Sequence, residues 1–170
     1  MPEEAAREAP GVARGRGLTH LDETGAARMV DVSAKPTSAR AARASGRVLV
    51  SPEVVELLRG RGMPKGDALG VARIAGIMGA KRTPDLVPLC HPIAITGVDV
   101  ELAVADDAVT IAATVRTTDR TGVEMEALTA VTTAALAVVD MVKAVDPAAV
   151  ISDIRVDEKT GGKSGDWRRA

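Results

Sequence analysis

Residues 93–117 run IAITGVDVELAVADDAVTIAATVRT, two segments rich in β-branched residues, Ile93–Val104 and Val109–Thr117, on either side of Ala105-Asp106-Asp107-Ala108. Branched Cβ atoms crowd a helix and fit a pleated strand, and a short polar break between two such runs reads as an antiparallel hairpin.

On the C-terminal side, Thr121-Gly122-Val123-Glu124 has the form of a capping box, Thr as N-cap with Glu three residues on, and the helix it opens is expected to run until Pro147. A last strand, Val150–Val156, then precedes a Gly-, Lys- and Ser-rich tail. On the N-terminal side, residues 83–92 (TPDLVPLCHP) hold three prolines, so a shaped loop is expected there rather than a helix or a central strand. Before the loop, Asp67 is placed to cap a helix reaching Lys81, with Val71, Ile74 and Met78 at helical spacing and Gly70, Gly76 and Gly79 suited to close backbone packing. Ser51-Pro52-Glu53 opens a shorter helix through Leu58, Arg47–Ser51 reads as the end of a strand, and Met29–Pro36 as an extended segment. A hairpin, a long helix and a return strand in this order predict an α+β fold of ferredoxin-like type, an antiparallel sheet with helices packed on one face. Residues 1–17 read as a disordered tail and residues 18–170 as one domain.

Composition narrows the function. The 22 Lys and Arg nearly cancel the 23 Asp and Glu, so no global field draws the chain to nucleic acid or to an anionic membrane. Trp167 is the sole aromatic apart from histidine, which removes the stacking platforms of single-strand binders. One cysteine excludes a disulfide framework and fits a reducing cytosol. No apolar run is read as approaching a membrane span, and the first 17 residues lack a secretory core, so a cytoplasmic protein is expected.

On the long helix, Leu128, Val131, Ala135, Val138 and Val142 gather on one side as a core stripe, with Glu126, Thr129, Thr133, Asp140 and Lys143 opposite. The polar stripe fits a solvated face, but threonine is a poor choice for such a face and equally suits a site or a subunit interface. Asp140 and Lys143 lie one turn apart, where opposite charges orient each other and a lysine in a dry site can exchange protons. His91, on a stiff proline-rich backbone, is either a displayed ring or a hydrogen-bonded structural one. Cys90 beside it reads as packing, because sequence neighbours in extended backbone point apart. Two histidines and one cysteine make no recognisable zinc centre, so no metal is expected. Gly161-Gly162-Lys163-Ser164-Gly165 resembles a phosphate loop at its GKS but lacks the preceding glycine and following helix of a Walker A motif. Its glycines with Lys159 and Lys163 suit either an anion site or a surface tail. From spacing alone, Lys65, Arg73, Lys81 and Arg82 read as scattered solubilising charge.

The strings KGDALGVARIAGIMGAKRT, DLVPLCHP and TGVEMEALTAVTTAALAVVDMVKAV, with MVDVSAK and GGKSGDW, resemble the cyclic pyranopterin monophosphate synthases, the molybdenum-cofactor biosynthesis protein C family, over about Leu18–Trp167. The resemblance implies a ferredoxin-like subunit in a homohexamer, a trimer of dimers, with active sites between subunits. It implies a lyase acting on 3′,8-cyclo-7,8-dihydro-GTP, supplied by an upstream radical SAM GTP cyclase, and yielding the cyclic-phosphate pterin with loss of diphosphate. No redox cofactor is needed, and whether Mg²⁺ accompanies the triphosphate is not readable from sequence. By the same resemblance Asp140 and Lys143 are the central catalytic pair, with Lys65 a second lysine. Leu89, Cys90, His91, Glu124, Met125 and Glu126 match substrate-binding segments, and Arg40, Arg73, Lys81 and Lys163 fit the cations expected around a triphosphate. With no Phe or Tyr, the pterin has to be held by backbone and aliphatic contacts. The competing reading is a non-catalytic ferredoxin-like module that binds a purine nucleotide for regulation, and a nucleotide triphosphatase is a weaker third.

Overall fold

The computed structural model describes residues 21–22, 24–60 and 64–170; the expected N-terminal tail, 1–17, lies outside them. Among the described residues before Asp31, Asp22 accepts from the Thr24 and Ala26 amides, closing a small turn bridged by Leu21 and Ala27.

From Asp31 onward the chain is one compact unit. Its elements are β1 (Ser38–Leu49), α1 (Pro52–Arg59), α2 (Ala68–Lys81), α3 (Thr83–Leu86), β2 (Ile95–Val104), β3 (Ala108–Asp119), α4 (Glu124–Val142), β4 (Val150–Thr160) and β5 (Trp167–Arg168). The strands form one antiparallel sheet in the order β2-β3-β1-β4-β5. With α2 and α4 as the two crossovers, β1–β4 have the ferredoxin-like arrangement that the hairpin and long helix predicted.

The hairpin is as expected, with Val104 opposite Val109. Along β3, Val109, Ile111, Ala113 and Val115 are buried under the helices, while Thr110 and Arg116 face the other way and are exposed, the period-two pattern of a half-covered sheet. The uncovered face carries ion pairs, Arg43 to Glu101 at 3.1 Å and Arg47 to Asp153 at 2.6 Å.

Several expectations are corrected. The strand whose end was read at Arg47–Ser51 is β1, which closes at Leu49, but it is twelve residues long and its start at Ser38 was not anticipated. Its SARAARASGR segment is alanine-rich and lacks strand-forming residues, yet Ala42, Ala44 and Val48 are buried beneath α4, so tertiary packing overrides local preference. Thr83–Leu86 forms one helical turn inside the proline-rich loop, with Pro84 at its first turn where no amide is needed. Thr121 does not cap α4: the N-cap is Val123, which is buried, and the Thr121 hydroxyl donates to the Gly122 carbonyl at 3.2 Å. Val71, Ile74 and Met78 are 46%, 65% and 49% exposed, so the apolar spacing of α2 marks its outer face. Its inner face is Ala68, Ala72, Gly76, Gly79 and Ala80.

The two remaining capping expectations hold. Ser51 accepts from the Val54 amide at 3.4 Å and Asp67 from Gly70 at 2.8 Å.

In length and composition α4 does reach the dimensions of a membrane-spanning helix, against expectation, and half of it is buried within the chain. It packs on the sheet and, along its side, against α2, which accounts for its apolarity. Its buried arc, Glu126, Ala127, Ala130, Val131, Ala134, Ala135, Val138, Met141 and Val142, is therefore wider than the expected stripe. Leu128, expected in that stripe, is only partly buried.

Candidate functional site

The C-terminal end of α4 carries the first polar group. Asp140 is one turn from Lys143, whose Nζ lies 2.7 Å from Asp140 Oδ1. Lys65, just before α2, reaches the same residue, donating to the Asp140 carbonyl at 2.7 Å with Nζ 3.5 Å from Oδ2. The hydrogen bond and charge of Lys143, then the charge of Lys65, hold the Asp140 carboxyl below its ordinary range. The three side chains are 40% to 58% exposed, so in the single chain the cluster is open to water.

The second group lies at the other end of α4. Glu126 was expected on the polar face, but it is 2% exposed, and its Oε2 has no hydrogen-bond partner among the described residues. It sits at the edge of a cavity of about 310 Å³ whose lining includes Lys81, Pro92 and Ile93. Burial first, and then the charge of Glu124, push its carboxyl up from its ordinary 4.5 to about 7. Cys90 is half-buried nearby: desolvation and the carboxylates of Glu126 and Glu124 raise its thiol. It is thus a protonated neighbour of acids, not an activated nucleophile. His91 follows it in the loop, close enough to Asp31 to help lower that carboxyl, which the Ser33 amide lowers more.

Glu124 also borders a polar cleft of about 190 Å³ with Arg40, Lys159, Gly161 and Ser164. Arg40 is fixed by its Nε, which donates to the Asp119 carbonyl at 3.0 Å. The loop beyond Lys159 is built around it: Gly162 adopts φ +78°, and a Cβ there would sit 2.5 Å from Arg40 Nη1. Lys159 donates to Ser164 Oγ at 2.6 Å and to the Gly165 carbonyl at 2.8 Å, bracing the loop from within. Lys163 lines an adjoining cavity. Leu89 belongs to the same loop as Cys90, and Met125, 38% exposed, projects from the outer side of α4.

Of the expected residues, then, Lys65, Asp140 and Lys143 meet at one end of α4, and Cys90, Glu124, Glu126, Lys81, Arg40 and Lys163 cluster around the other. Arg73 joins neither: its Nε donates to the Val100 carbonyl on β2 at 3.1 Å. The threonines have a local explanation, because Thr129, Thr132 and Thr133 return their hydroxyls to carbonyls four residues back. Sequence reasoning missed the burial of Glu126; the i, i+4, i+8 series Glu126, Ala130, Ala134 was its one available signal. It also gave no role to Asp31, which has no motif of its own beyond MVDVSAK.

Fold and groups together describe a small α+β protein equipped with cations for an anionic ligand and carboxyl and ammonium groups for proton exchange. A sequence model of the MoaC family matches residues 29–162, and the chain belongs to that family. It is 74% identical over 163 residues, 96% of each chain, to the cyclic pyranopterin monophosphate synthase of Streptomyces avermitilis. The protein of that name from Streptomyces griseus subsp. griseus is 78% identical over 152 residues, 89% of this chain and 86% of its own. That from Parvibaculum lavamentivorans is 58% identical over 153 residues, 89% and 96% of the two chains.

Proposed function

We propose that the chain is an enzyme of molybdenum-cofactor biosynthesis and makes cyclic pyranopterin monophosphate, the product for which its relatives are named. Its substrate is 3′,8-cyclo-7,8-dihydro-GTP. The rearrangement closes the pyran ring, and a substrate hydroxyl attacks the α-phosphorus to form the cyclic phosphate as diphosphate leaves. No electrons enter or leave, so no redox cofactor is required; a Mg²⁺ ion travelling with the triphosphate fits the same scheme.

The observation that carries this reading is the convergence of Lys65 and Lys143, distant in sequence, on Asp140. A carboxylate kept ionised between two ammonium groups holds them for proton transfer at the ring atoms and for neutralising charge that develops at phosphate. A regulatory module that only binds a nucleotide has no use for this trio, and relatives at up to 78% identity are named as synthases.

The separation of the two groups supports sites shared between subunits. Along α4, Glu126 and Asp140 are about 21 Å apart, too far to act on the same atoms. The outward stripe of α4, Met125, Thr129, Thr132, Leu136, Val139 and Lys143, recurs at helical spacing, and Leu136 at its centre is 56% exposed. A second α4 laid antiparallel, with the two-fold axis near residue 133, places Glu126 of one chain beside Asp140 of the other. Such dimers, three to a homohexamer, complete the reading, in a cytoplasmic enzyme fed by a radical SAM GTP cyclase.

Incubation of the purified protein with the cyclised dihydro-GTP, following diphosphate and the cyclic pterin, tests it. Stoichiometric products are expected from the wild type and none from a folded Lys143→Ala variant. Intact wild type that yields no product overturns the reading in favour of the binding module.

A further inference from the structure

Along β3 the inward positions are Val109, Ile111, Ala113, Val115 and Thr117, all buried, and of these the last alone is polar. A hydroxyl is unfavourable there unless it is bonded, and valine has nearly the same shape. Thr117 Oγ1 donates to the Ala94 carbonyl at 2.6 Å. The Ala94 amide donates in turn to Asp119 Oδ2 at 3.4 Å. Both backbone groups of Ala94 are thus held by side chains at the end of β3, one residue before β2 begins. Upstream, the Cys90 amide closes a turn on the Val87 carbonyl at 3.0 Å, and from His91 to Ala94 the chain has no regular structure. Pro92 stands between His91 and Ala94 with its own φ fixed by its ring, so the placement of Ala94 is passed back to His91 over at most about 11 Å of chain.

Ala94 also sits between residues that wall the cavity beside Glu126: Pro92 and Ile93 before it, Ile95 after it. Its anchor therefore sets where that wall stands relative to Glu126, which is itself buried and without a hydrogen-bond partner at Oε2 among the described residues. We propose that Thr117 is a positioning residue for the loop that carries Leu89, Cys90 and His91: with Asp119 it fixes Ala94, and through Ala94 the place of His91 and of the cavity wall facing Glu126. The assignment rests on the reaction proposed above, in which this loop binds substrate. Thr117 is 2% exposed and acts through the loop.

Turnover and thiol labelling of Thr117→Val and Thr117→Ser in the full chain test it. The valine variant is expected to melt at or above the wild type, because valine suits a strand and the carbonyl of the exposed Ala94 can turn to water. It nevertheless raises KM for the cyclised dihydro-GTP about fivefold, the worth of one hydrogen bond, with kcat changed less. Iodoacetamide, whose target Cys90 is the chain's one thiol, labels it severalfold faster than the wild type at the same pH. The serine variant keeps the hydroxyl and loses a buried methyl, so it melts lower and yet keeps wild-type KM and labelling. A role in folding alone would order both variants by their melting. Wild-type labelling of Thr117→Val overturns the anchor, and faster labelling with unchanged KM takes Thr117 out of substrate binding. Labelling of Thr117→Val faster than that of a wild type that does not convert the cyclised substrate sustains the anchor and removes the reaction instead.

Discussion

Glu126 is a carboxyl that the fold buries without satisfying, beside a second acid. Its folded pKa, about 7, stands above the ordinary 4.5, so between those values the folded chain binds more protons than the unfolded one, and stability is lost as pH rises through that window. Replacing Glu126 by Gln is expected to leave melting nearly unchanged at about pH 4 and to raise stability by roughly 1–3 kcal/mol above about pH 7.5. Thermal melts of both proteins across that range read the difference, and a constant gap at all pH values would refute the assignment. Asp140 is the opposite case. Its ion pairs are exposed, so Asp140→Asn is expected to leave melting nearly unchanged. The same substitution removes the charge that holds Lys65 and Lys143 and is expected to lower turnover at least about 100-fold. Equal small effects on melting and turnover would take Asp140 out of the site. The Asp140–Lys143 pair was legible because i, i+3 spacing alone brings it together; the burial of Glu126 was not, because it depends on which helix covers that side of α4.

Among the elements, α2 and α4 are held close by glycines. A Cβ on Gly79 would collide with Thr133 Oγ1, and one on Gly76 would lie 3.0 Å from the Ala130 carbonyl. Gly79→Ala gains helix propensity of about 1 kcal/mol but forces the helices apart, and a net loss of about 1–2 kcal/mol is expected. Thr133→Ala in the same chain removes the nearest obstruction and recovers part of that loss. Denaturant titration of the two single variants and the double variant measures the coupling, and strict additivity would show that the two side chains do not meet. The hairpin, α1, α2, α4 and the start of β4 were legible because each carries its own period, cap or breaker. Of β1 only the end was legible, in Arg47–Leu49: Ala and Arg dominate the rest, and only its pairing, with Arg40 opposite Thr117 and Val48 opposite Val109, makes it a strand. The short turn of α3 was hidden by prolines that its first turn tolerates. For α2, apolar spacing indicated the wrong face, because its inner face is made of alanine and glycine, and Val71, Ile74 and Met78 are left outside.

At the scale of the whole molecule, the two polar groups stand at opposite ends of one rigid helix, so no local rearrangement of a single chain brings them together. If antiparallel α4 helices of two chains complete each site, a chain lacking one group and a chain lacking the other contain between them everything one site needs. Lys143→Ala and His91→Ala, each inactive alone, are expected to regain activity when unfolded together and refolded as a mixture. Random pairing makes half the dimers mixed, and each mixed dimer has one intact site and one doubly deficient site, so recovery reaches about a quarter of the wild-type rate. Two variants from the same end, Lys65→Ala and Lys143→Ala, regain nothing, because in every pairing each site lacks one of the two lysines. A same-end mixture that recovers as well as the opposite-end one would mean that the site is assembled differently. Recovery in neither mixture, from refolded dimers shown by sedimentation to be mixed, would confine each site to one chain, and the Lys65–Asp140–Lys143 cluster would then have to act without Glu126.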